Sequence, residues 1–377
     1  MKTTMKECPT VIFAGGGTGG HLYPALAIAD EVKRLCKETR IVFIGTAGKI
    51  EARVVPRTGY TFETIWISGF RRALSWSLVL FPLKVCVSLV QTAKIVRRWR
   101  PDVVVGTGGY VSGPPVFIAS LLGIPAILQE QNSVPGATTR LLAKRAREIF
   151  ISLESSRRYL PGTANVILSG NPVRSSVGTA QRAPAARFFN LDANKTTILV
   201  FGGSLGASSI NGAVMEFLPS IRGTEIQVIW QTGEHDLAMA QEAVQRLNDP
   251  ERDRVRVAAF IERMDLAFGA SDIAVCRAGA STLAELALAG VPAILVPYPH
   301  AAADHQTENA RAMVDKGAAV LCPDREVQTT LKIQLLDLLQ NGEKRNQMSE
   351  RMRSMAHPEA AATIAAAVIR LSQRSHD

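Results

Sequence analysis

The stretch Val11-Ile-Phe-Ala-Gly-Gly-Gly-Thr-Gly-Gly-His21-Leu-Tyr-Pro-Ala decides the fold, because a short apolar run breaks into small residues and a histidine before a helical pattern begins. This order predicts a strand, a loop and a helix over residues 24–30. Glycines let the backbone approach a ligand closely, and the unpaired N–H groups at the start of a helix point toward it. The stretch therefore predicts a cradle for an anion or a sugar phosphate.

Residues 15–20 also satisfy the Gly-x-Gly-x-x-Gly fingerprint of dinucleotide-binding proteins, but one match of this kind is weak. The second predicted strand is followed by Thr46-Ala-Gly-Lys-Ile, with no acidic residue at the strand end to bind a ribose, which disfavours NAD. The Gly-Lys-Ser/Thr ending of a P-loop is missing as well. His21 remains as a catalytic candidate or as an ordinary surface histidine.

Length and composition indicate a globular protein of about two domains, since the chain has 377 residues, of which 47% are hydrophobic and 20% charged. The five cysteines are widely spaced and form no Cys-x-x-Cys pair, which favours a reducing compartment and no structural zinc. The N-terminus has no apolar core of signal-peptide length. We therefore expect a protein that stays in the cytoplasm.

Apolar runs of strand length alternate with helical patterns, which predicts an α/β fold with two doubly wound parallel-sheet domains. The boundary is predicted at Arg174, giving domains of residues 1–174 and 175–357, with a C-terminal segment of residues 358–377 whose Ala-rich helix would pack on the first domain. The predicted strands are residues 10–13, 41–44, 103–105, 126–128, 148–151, 197–201, 227–230, 255–258, 273–275 and 293–296.

Positive charge is concentrated in the first half of the chain. Residues 1–174 hold 23 Lys and Arg against 10 Asp and Glu, whereas residues 175–377 hold 20 against 23. A basic domain can face nucleic acid or an anionic membrane, or it can simply be a solvated basic surface. The few aromatic residues disfavour stacking on bases, so we expect no nucleic-acid partner.

The segment of residues 69–90 breaks the regular pattern. Pro82 and Lys84 interrupt it, so no apolar run reaches the roughly 20 residues that a membrane-spanning helix needs. Its apolar and basic residues suit peripheral binding to an anionic membrane surface, and an ordinary core helix is the alternative. The predicted membrane contacts are Arg71, Arg72, Trp76, Leu80, Phe81 and Lys84.

Five further motifs follow predicted strands, where ligands bind in open α/β sheets. Residues 105–115 form a second glycine loop with a Tyr and a Ser, and residues 129–132 offer a carboxylate and amides suited to sugar hydroxyls or to a helix-capping loop. Residues 202–206 would hold phosphate at a helix start. Residues 276–285 end in a glutamate that could bind ribose or favour the helix dipole. Residues 300–309 contain two histidines but no matching metal constellation, so no metal is expected.

These motifs together resemble one family of enzymes. GGGTGGH, GTGGYVSGP, QEQN, SGNPVR, GGSLGA, CRAGASTLAEL and HQTENA occur in this order over essentially the whole chain. Their combination is similar to the MurG family, the N-acetylglucosaminyltransferases of bacterial peptidoglycan synthesis that act on undecaprenyl-pyrophosphoryl-MurNAc-pentapeptide (lipid I). The resemblance implies the GT-B fold, in which two Rossmann-like domains face each other across a cleft.

The resemblance also implies roles for individual residues. It places Arg174 and Ser204 on the UDP phosphates, the backbone of Ile261 on uracil and Glu285 on ribose. The donor-binding residues it implies are Thr18, Gly19, Gly20, Asn132, Arg174, Ser204, Ile261, Ala280, Ser281, Thr282, Leu283, Ala284, Glu285 and Gln306. The acceptor-binding residues are Gly16, Gly17, Thr18, Tyr110 and Ser112.

His21 is the first candidate for the base, with Glu130 in reserve. The chain departs from the family pattern at Gln129, where His is common, and by one inserted residue between His300 and Gln306. The insertion leaves His305 or Gln306 as the sugar contact.

The implied reaction is transfer of GlcNAc from UDP-GlcNAc to the C4 hydroxyl of the lipid-linked MurNAc, with inversion and without a metal or other cofactor. It gives lipid II on the cytoplasmic face of the plasma (inner) membrane. The enzyme could contact other proteins of cell-wall synthesis and division. The alternatives are a related GT-B enzyme, such as a diacylglycerol galactosyltransferase or a UDP-sugar epimerase, and a binding protein without catalysis.

Overall fold

The computed structural model describes residues 9–69 and 80–374, without the side chain of Arg374. The chain divides into two compact units. Unit 1 comprises residues 1–174 and 357–377, and unit 2 comprises residues 175–356. In each unit the described strands form one parallel sheet, which confirms the predicted fold class.

The sheet of unit 1 has seven strands in the order β3-β2-β1-β4-β5-β6-β7. The strands are β1 (Thr10–Gly15), β2 (Arg40–Gly45), β3 (Thr61–Thr64), β4 (Val103–Gly108), β5 (Ala126–Glu130), β6 (Glu148–Ile151) and β7 (Val166–Leu168). The strand order changes direction between β1 and β4, and this is the point where open parallel sheets bind ligands.

Both faces of this sheet are buried. Val11 and Phe13 of β1 belong to one apolar cluster, whereas Ile12 and Ala14 belong to another. Successive side chains of a strand point to opposite faces, so a strand buried on both sides must be apolar throughout. This requirement explains why β1 reads as a continuous apolar run.

Five helices accompany these strands in the described part of unit 1 before the chain enters unit 2. They are α1 (Gly19–Leu35), α2 (Ile50–Val54), α3 (Phe81–Trp99), α4 (Gly113–Leu121) and α5 (Ala137–Leu142). Helix α1 begins five residues before the predicted start at Pro24, so Gly19, Gly20 and His21 form its first turn. Pro24 is the sixth residue of α1 and lies inside the helix, so the Gly20 carbonyl lacks the N–H donor that another residue would supply.

Unit 2 repeats this architecture with six strands in the order β10-β9-β8-β11-β12-β13. The strands are β8 (Thr197–Phe201), β9 (Gln227–Gln231), β10 (Val255–Ala258), β11 (Ile273–Cys276), β12 (Ala293–Leu295) and β13 (Ala319–Leu321). The helices are α6 (Arg182–Phe188), α7 (Ser208–Phe217), α8 (Leu237–Gln245), α9 (Asp249–Arg252), α10 (Met264–Ala270), α11 (Ala280–Ala289), α12 (His305–Val314), α13 (Val327–Gln340) and α14 (Gly342–Ser354).

The last helix, α15 (Ala360–Arg374), returns to unit 1 and packs against α1. Ile364, Ala365, Val368 and Leu371 are buried in the same cluster as the apolar residues of α1. The alanines on both helices allow the close approach, because the distance between packed helices depends on the side chains at the contact.

The ten predicted strands are confirmed, but three strands were missed. β3, β7 and β13 are edge strands of three or four residues, and most of their side chains are only partly buried. Such a strand carries little apolar periodicity, which is the signal that sequence analysis uses.

We expect Val368→Asp to destabilise unit 1 by about 3 kcal/mol or more, because the charge would be buried without a partner. Ala366→Asp places the same charge on the exposed side of α15 and should cost less than about 1 kcal/mol. Guanidinium-induced unfolding of both variants measures the difference. Equal shifts of the transition would contradict the packing of α15.

Candidate functional site

In each unit the sequence motifs come together at the carboxyl ends of three neighbouring strands. In unit 1 they follow β1, β4 and β5, and in unit 2 they follow β8, β11 and β12. Each set lies where parallel sheets bind ligands. The topology therefore assembles two candidate sites from motifs that are far apart in the sequence.

Glu51 supports the glycine loop after β1 and was missed by sequence analysis. Its side chain is 1% exposed, and its carboxylate accepts hydrogen bonds from the Gly17 amide (3.0 Å), the Thr46 amide (3.1 Å) and the Thr46 hydroxyl (2.8 Å). A Cβ atom on Gly16 would lie 2.6 Å from this carboxylate, which excludes a side chain at that position.

The glycine loop is therefore only partly an anion cradle. The Gly17 N–H points to a protein carboxylate, and this corrects the interpretation that the whole loop faces a ligand. No described hydrogen bond uses the N–H groups of Gly19 and Gly20, as is normal in the first turn of a helix. These two amides are the part of the loop that can donate to a ligand.

The second glycine loop, after β4, packs against the first. A Cβ atom on Gly109, whose φ is +73°, would lie 2.6 Å from the carbonyl oxygen of Gly16. Tyr110 lies near Gly17 and Thr46; burial and the Glu51 carboxylate raise the pKa of Tyr110, whereas its hydrogen bond to Thr46 lowers it.

Ser112 is fully buried, and its hydroxyl donates to the Gly109 carbonyl (2.9 Å). This bond holds the short 3₁₀ turn Tyr110–Ser112, so the structure does not favour Ser112 as an acceptor contact.

His21 lies in the first turn of α1, against the second glycine loop. A Cβ atom on Gly108 would lie 2.7 Å from His21 Nδ1. The Nδ1 atom is 3.0 Å from the side-chain oxygen of Gln131, a residue that sequence analysis did not single out. Because His21 is partly exposed, its ring can reach a ligand at the end of the sheet.

Glu130, the reserve base, is held within its own loop. Its carboxylate accepts hydrogen bonds from the amides of Asn132 (3.1 Å) and Gly136 (3.0 Å) and from the Asn132 side chain (3.3 Å). The side chain is almost fully buried. This geometry favours shaping of the 130–136 loop over proton transfer, and the role of Asn132 in donor binding stays a prediction.

Arg174 ends unit 1 beside helix α1. Its guanidinium lies 5.4 Å from the ring centroid of Tyr23, and this ring lies against Gly19. The side chain of Arg174 is exposed, so its charge is available to an anion near the start of α1. Its assignment to the UDP phosphates stays a prediction.

In unit 2, the glycine loop after β8 brings an exposed hydroxyl to a helix start. Gly203 and Gly206 have φ values of +91° and +79°, and Ser204 between them is exposed. Helix α7 begins at Ser208, after Ala207 as its N-cap residue. Ser204 and the first amides of α7 are suited to a phosphate group.

The backbone of Ile261 is less open to a ligand than predicted. Its N–H donates to the side-chain oxygen of Gln231 (2.7 Å), and the Gln231 amide nitrogen donates to the Gly203 carbonyl (2.9 Å). Gln231 therefore links the glycine loop to Ile261. A uracil that used the Ile261 N–H would have to displace Gln231, and the contact between the Ile261 backbone and uracil stays a prediction.

Arg277 ties together the strand ends of this site. Its guanidinium donates to Asp324 (2.5 Å), to the Ser209 hydroxyl (3.0 Å) and to the carbonyls of Val296 (3.2 Å) and Pro297 (3.1 Å). The Ser209 hydroxyl in turn donates to Asp324 (2.6 Å). These bonds fix the first turn of α7 relative to the ends of β11 and β12.

Helix α11 contains the predicted donor-binding residues 280–285. Its N-cap residue is Gly279, and Leu283 is buried, with its N–H donating to the Gly279 carbonyl (3.0 Å). Burial raises the pKa of the Cys276 thiol, and the Glu285 carboxylate raises it further, which places Glu285 near the end of β11. The role of residues 280–285 along the nucleotide stays a prediction.

Gln306 lies in the first turn of α12. Its side-chain oxygen accepts from the Tyr298 amide (3.0 Å), so its NH₂ group faces away as a donor suited to a sugar hydroxyl. His305 Nδ1 donates to the Ala302 carbonyl (2.7 Å). The choice between these two residues as the sugar contact stays open. In residues 9–69 and 80–374, no three His, Cys, Asp or Glu side chains gather as metal ligands.

The predicted membrane contacts fall partly outside the described residues, which exclude Arg71, Arg72 and Trp76. Leu80 is 42% exposed and precedes α3, in which Leu83 is 52% exposed. Lys84 donates to the Ser68 hydroxyl (3.1 Å) and lies 5.6 Å from the ring centroid of the exposed Trp66. Phe81 is partly buried. No helix within the described ranges is both long and apolar enough to cross a bilayer.

Comparison with known proteins gives two family matches. The profile described as Glycosyltransferase family 28 N-terminal domain matches residues 11–151, and the family 28 C-terminal domain profile matches residues 197–364. The N-terminal match lies within unit 1, whereas the C-terminal match covers most of unit 2 and extends into residues 357–364 of unit 1.

Curated relatives match over nearly the whole chain. A protein of Salinibacter ruber is 42% identical over 98% of this chain and 98% of its own length. A protein of Chlorobaculum tepidum is 43% identical over 96% of this chain and 99% of its own. Both are named UDP-N-acetylglucosamine--N-acetylmuramyl-(pentapeptide) pyrophosphoryl-undecaprenol N-acetylglucosamine transferase.

Among solved structures, Acinetobacter baumannii MurG matches with a TM-score of 0.74 at 28% identity, covering 96% of this chain and 99% of its own. A UDP-N-acetylglucosamine 2-epimerase matches with a TM-score of 0.66 at 14% identity, covering 96% of this chain and 95% of its own, which shows likeness of fold alone. These neighbours and the two parallel sheets confirm the predicted GT-B fold and the resemblance to the MurG family.

We expect Glu51→Gln to lower the free energy of unfolding of unit 1 by about 1–3 kcal/mol, because an NH₂ group would replace an oxygen that accepts from buried donors. Glu38→Gln removes the charge of an exposed glutamate and should change stability by less than about 0.5 kcal/mol. Urea unfolding of both variants measures the difference, and an unchanged Glu51→Gln transition would contradict the supporting role of Glu51.

Proposed function

Since this chain belongs to glycosyltransferase family 28, we propose that it transfers GlcNAc from UDP-GlcNAc to the C4 hydroxyl of undecaprenyl-pyrophosphoryl-MurNAc-pentapeptide, with inversion to a β linkage. The observation that carries the proposal is 42% identity over 98% of the chain to a relative named for this reaction. The bond between the anomeric carbon and UDP breaks, and the acceptor oxygen forms the new bond. The hydroxyl proton passes to a base, and UDP leaves with the bonding electrons.

We assign the base to His21. A neutral imidazole can take the hydroxyl proton, and such catalysis typically contributes about 10²–10⁴-fold to the rate. His21 is partly exposed at the end of the unit 1 sheet, whereas the Glu130 carboxylate is buried and bonded to its own loop. The acceptor binds to unit 1 in this proposal, with Tyr110 near Gly17, and we reassign the amides of Gly19 and Gly20, which the resemblance implied for the donor, to the acceptor.

We assign the donor to unit 2. The Ser204 hydroxyl and the amides at the start of α7 bind the diphosphate, and their hydrogen bonds strengthen as negative charge grows on departing UDP. The Gln306 NH₂ group binds a hydroxyl of GlcNAc. Since backbone dipoles supply this stabilisation, the proposal needs no metal ion or other cofactor in the donor site.

We further propose peripheral binding to the cytoplasmic face of the plasma membrane, where the lipid-linked acceptor would be embedded. Leu80, Leu83 and Trp66 are exposed near the Lys84 ammonium, and residues 1–174 carry the excess positive charge of the chain. Exposed apolar side chains with cations beside them suit insertion among anionic headgroups. Contacts with other proteins of cell-wall synthesis and division stay a prediction.

We expect His21→Ala to lower kcat by about 10²–10⁴-fold, because the hydroxyl would lose its proton acceptor. UDP release from UDP-GlcNAc, with and without saturating lipid-linked MurNAc acceptor, measures this turnover. Calorimetric binding of UDP-GlcNAc serves as the control and should be unchanged. Near-normal turnover of His21→Ala would refute the base, and the absence of acceptor-dependent UDP release from the unaltered protein would refute the transferase.

We expect Leu83→Asp to weaken binding to anionic phosphatidylglycerol vesicles by about tenfold or more, because it removes an inserted apolar side chain and repels the headgroups. Ile333→Asp in unit 2 is the matched control, since Ile333 is 68% exposed and the added charge is the same. Co-sedimentation at increasing salt measures the affinity. Equal binding of the two variants would argue against the surface formed by Leu80, Leu83 and Lys84 as the membrane contact.

A further inference from the structure

We infer that Gln131 is a positioning residue that holds the neutral His21 ring with its proton on Nδ1, which leaves Nε2 as the proton acceptor. The inference deepens the proposed function, since the assignment of His21 as the base rests on it. The tautomer itself follows from hydrogen bonds within unit 1 and can be measured without any assay of activity.

A main-chain carbonyl fixes which way the Gln131 amide points. One end of the amide lies 2.6 Å from the Thr107 carbonyl oxygen, which can only accept a hydrogen bond. That end must therefore be the NH₂ group, and the side-chain oxygen must face His21 Nδ1 at 3.0 Å. An oxygen cannot donate, so the proton of this hydrogen bond belongs to Nδ1.

The strand geometry makes the Thr107 carbonyl available for this bond. The pairing of β1 with β4 shifts by one residue here, because Ala14 lies opposite Gly106 and Gly15 lies opposite Gly108. Thr107 is the extra residue, as in a β-bulge, and such irregularities re-aim the groups of a strand. The Thr107 hydroxyl donates to the His21 carbonyl (2.8 Å), which holds the first turn of α1 against the same residue.

A second buried amide completes the network. The Gln131 NH₂ group also donates to the side-chain oxygen of Gln129, and the Gln129 NH₂ group donates to Ser152 Oγ (3.2 Å) and Asn171 Oδ1 (3.2 Å). The Ser152 hydroxyl donates to the Glu130 carbonyl (2.9 Å). Every donor in this series has an acceptor, and the series ends on main-chain carbonyls at Thr107 and Glu130.

Reversing the Gln131 amide would break the network. Its oxygen would then face the Thr107 carbonyl and the Gln129 oxygen without a proton between them, in a site from which water is excluded. Buried acceptors that face each other in this way are strongly unfavourable. The orientation of Gln131, and with it the tautomer of His21, therefore has one stable arrangement.

This tautomer is the one that a base at the sheet end requires. No described hydrogen bond involves His21 Nε2, and the Nδ1 side of the ring is turned toward buried Gln131. When Nε2 takes the acceptor proton, Nδ1 keeps its own proton and its bond to Gln131, so no second proton has to move. A base held in the other tautomer would present no lone pair to the acceptor, as in enzymes whose histidine loses its orienting partner.

The test is ¹⁵N NMR of the histidine-labelled full chain at a pH where histidine is neutral, with the His21 signals identified by their loss in His21→Ala. We expect a protonated Nδ1 in the unaltered protein. In Gln131→Met the proton should move to Nε2 in a large fraction of molecules. The kcat should fall about fivefold to tenfold, the equivalent of one net hydrogen bond, with the KM for UDP-GlcNAc unchanged.

Gln227→Met is the matched control, since Gln227 is a buried glutamine at the opposite end of the unit 2 sheet, bonded to Asp192 and Thr197. It should leave the His21 signals unchanged. A protonated Nε2 in the unaltered protein would overturn the inference, even if Gln131→Met failed to fold, and so would an unchanged tautomer in Gln131→Met. If the unaltered protein had a protonated Nδ1 on His21 but His21→Ala kept its turnover, the assignment of His21 as the base would be wrong. The inference that Gln131 sets the tautomer of His21 would still hold.

Discussion

Hydrogen bonds from buried polar side chains to the loops at the carboxyl ends of the strands are the interactions on which both sites depend. A glycine-rich loop has no side chains of its own to hold it, and its main-chain groups must be paired when they are buried. In unit 1, Glu51 supplies this support from helix α2, and Gln131 supplies it from the loop after β5. The ligand-binding groups are placed by residues that a ligand would never touch.

Unit 2 solves the same problem with different chemistry. Gln231 bonds the glycine loop through Gly203, and Arg277 joins the first turn of α7 to the ends of two other strands. A guanidinium has five donors in a fixed plane, so one side chain can bond several carbonyls and a carboxylate at once. Asp324 forms an ion pair with Arg277 and offsets the charge of the guanidinium. A phosphate bound at this glycine loop would therefore depend on the hydrogen-bond donors of the loop itself.

The sequence predicted the central strands and the ligand-facing motifs, because each is a local pattern. Buried strands are continuous apolar runs, and glycine loops interrupt them within a few residues. It could not predict Glu51 or Gln131 as supports, since their partners lie 34 and 110 residues away in the chain. No acidic residue directly follows β2, but Glu51 lies in helix α2 a few residues later. Its carboxylate accepts hydrogen bonds from Thr46 and Gly17.

The glycines after β1 therefore have two different roles, because some of them face the protein and others face a ligand. Gly16 is needed because a Cβ atom there would meet the Glu51 carboxylate, and Gly17, whose φ is +85°, donates its amide to the same carboxylate. Gly19 and Gly20 instead keep their amides for a ligand at the start of α1. A buried negative charge below one half of the loop disfavours an anion there, so a phosphate would be directed to the other half. His21 is the next residue on that side, with the Arg174 and Tyr23 pair beside the same turn. The loop thus separates protein-facing from ligand-facing amides within six residues, and the position of Glu51 decides where the division falls.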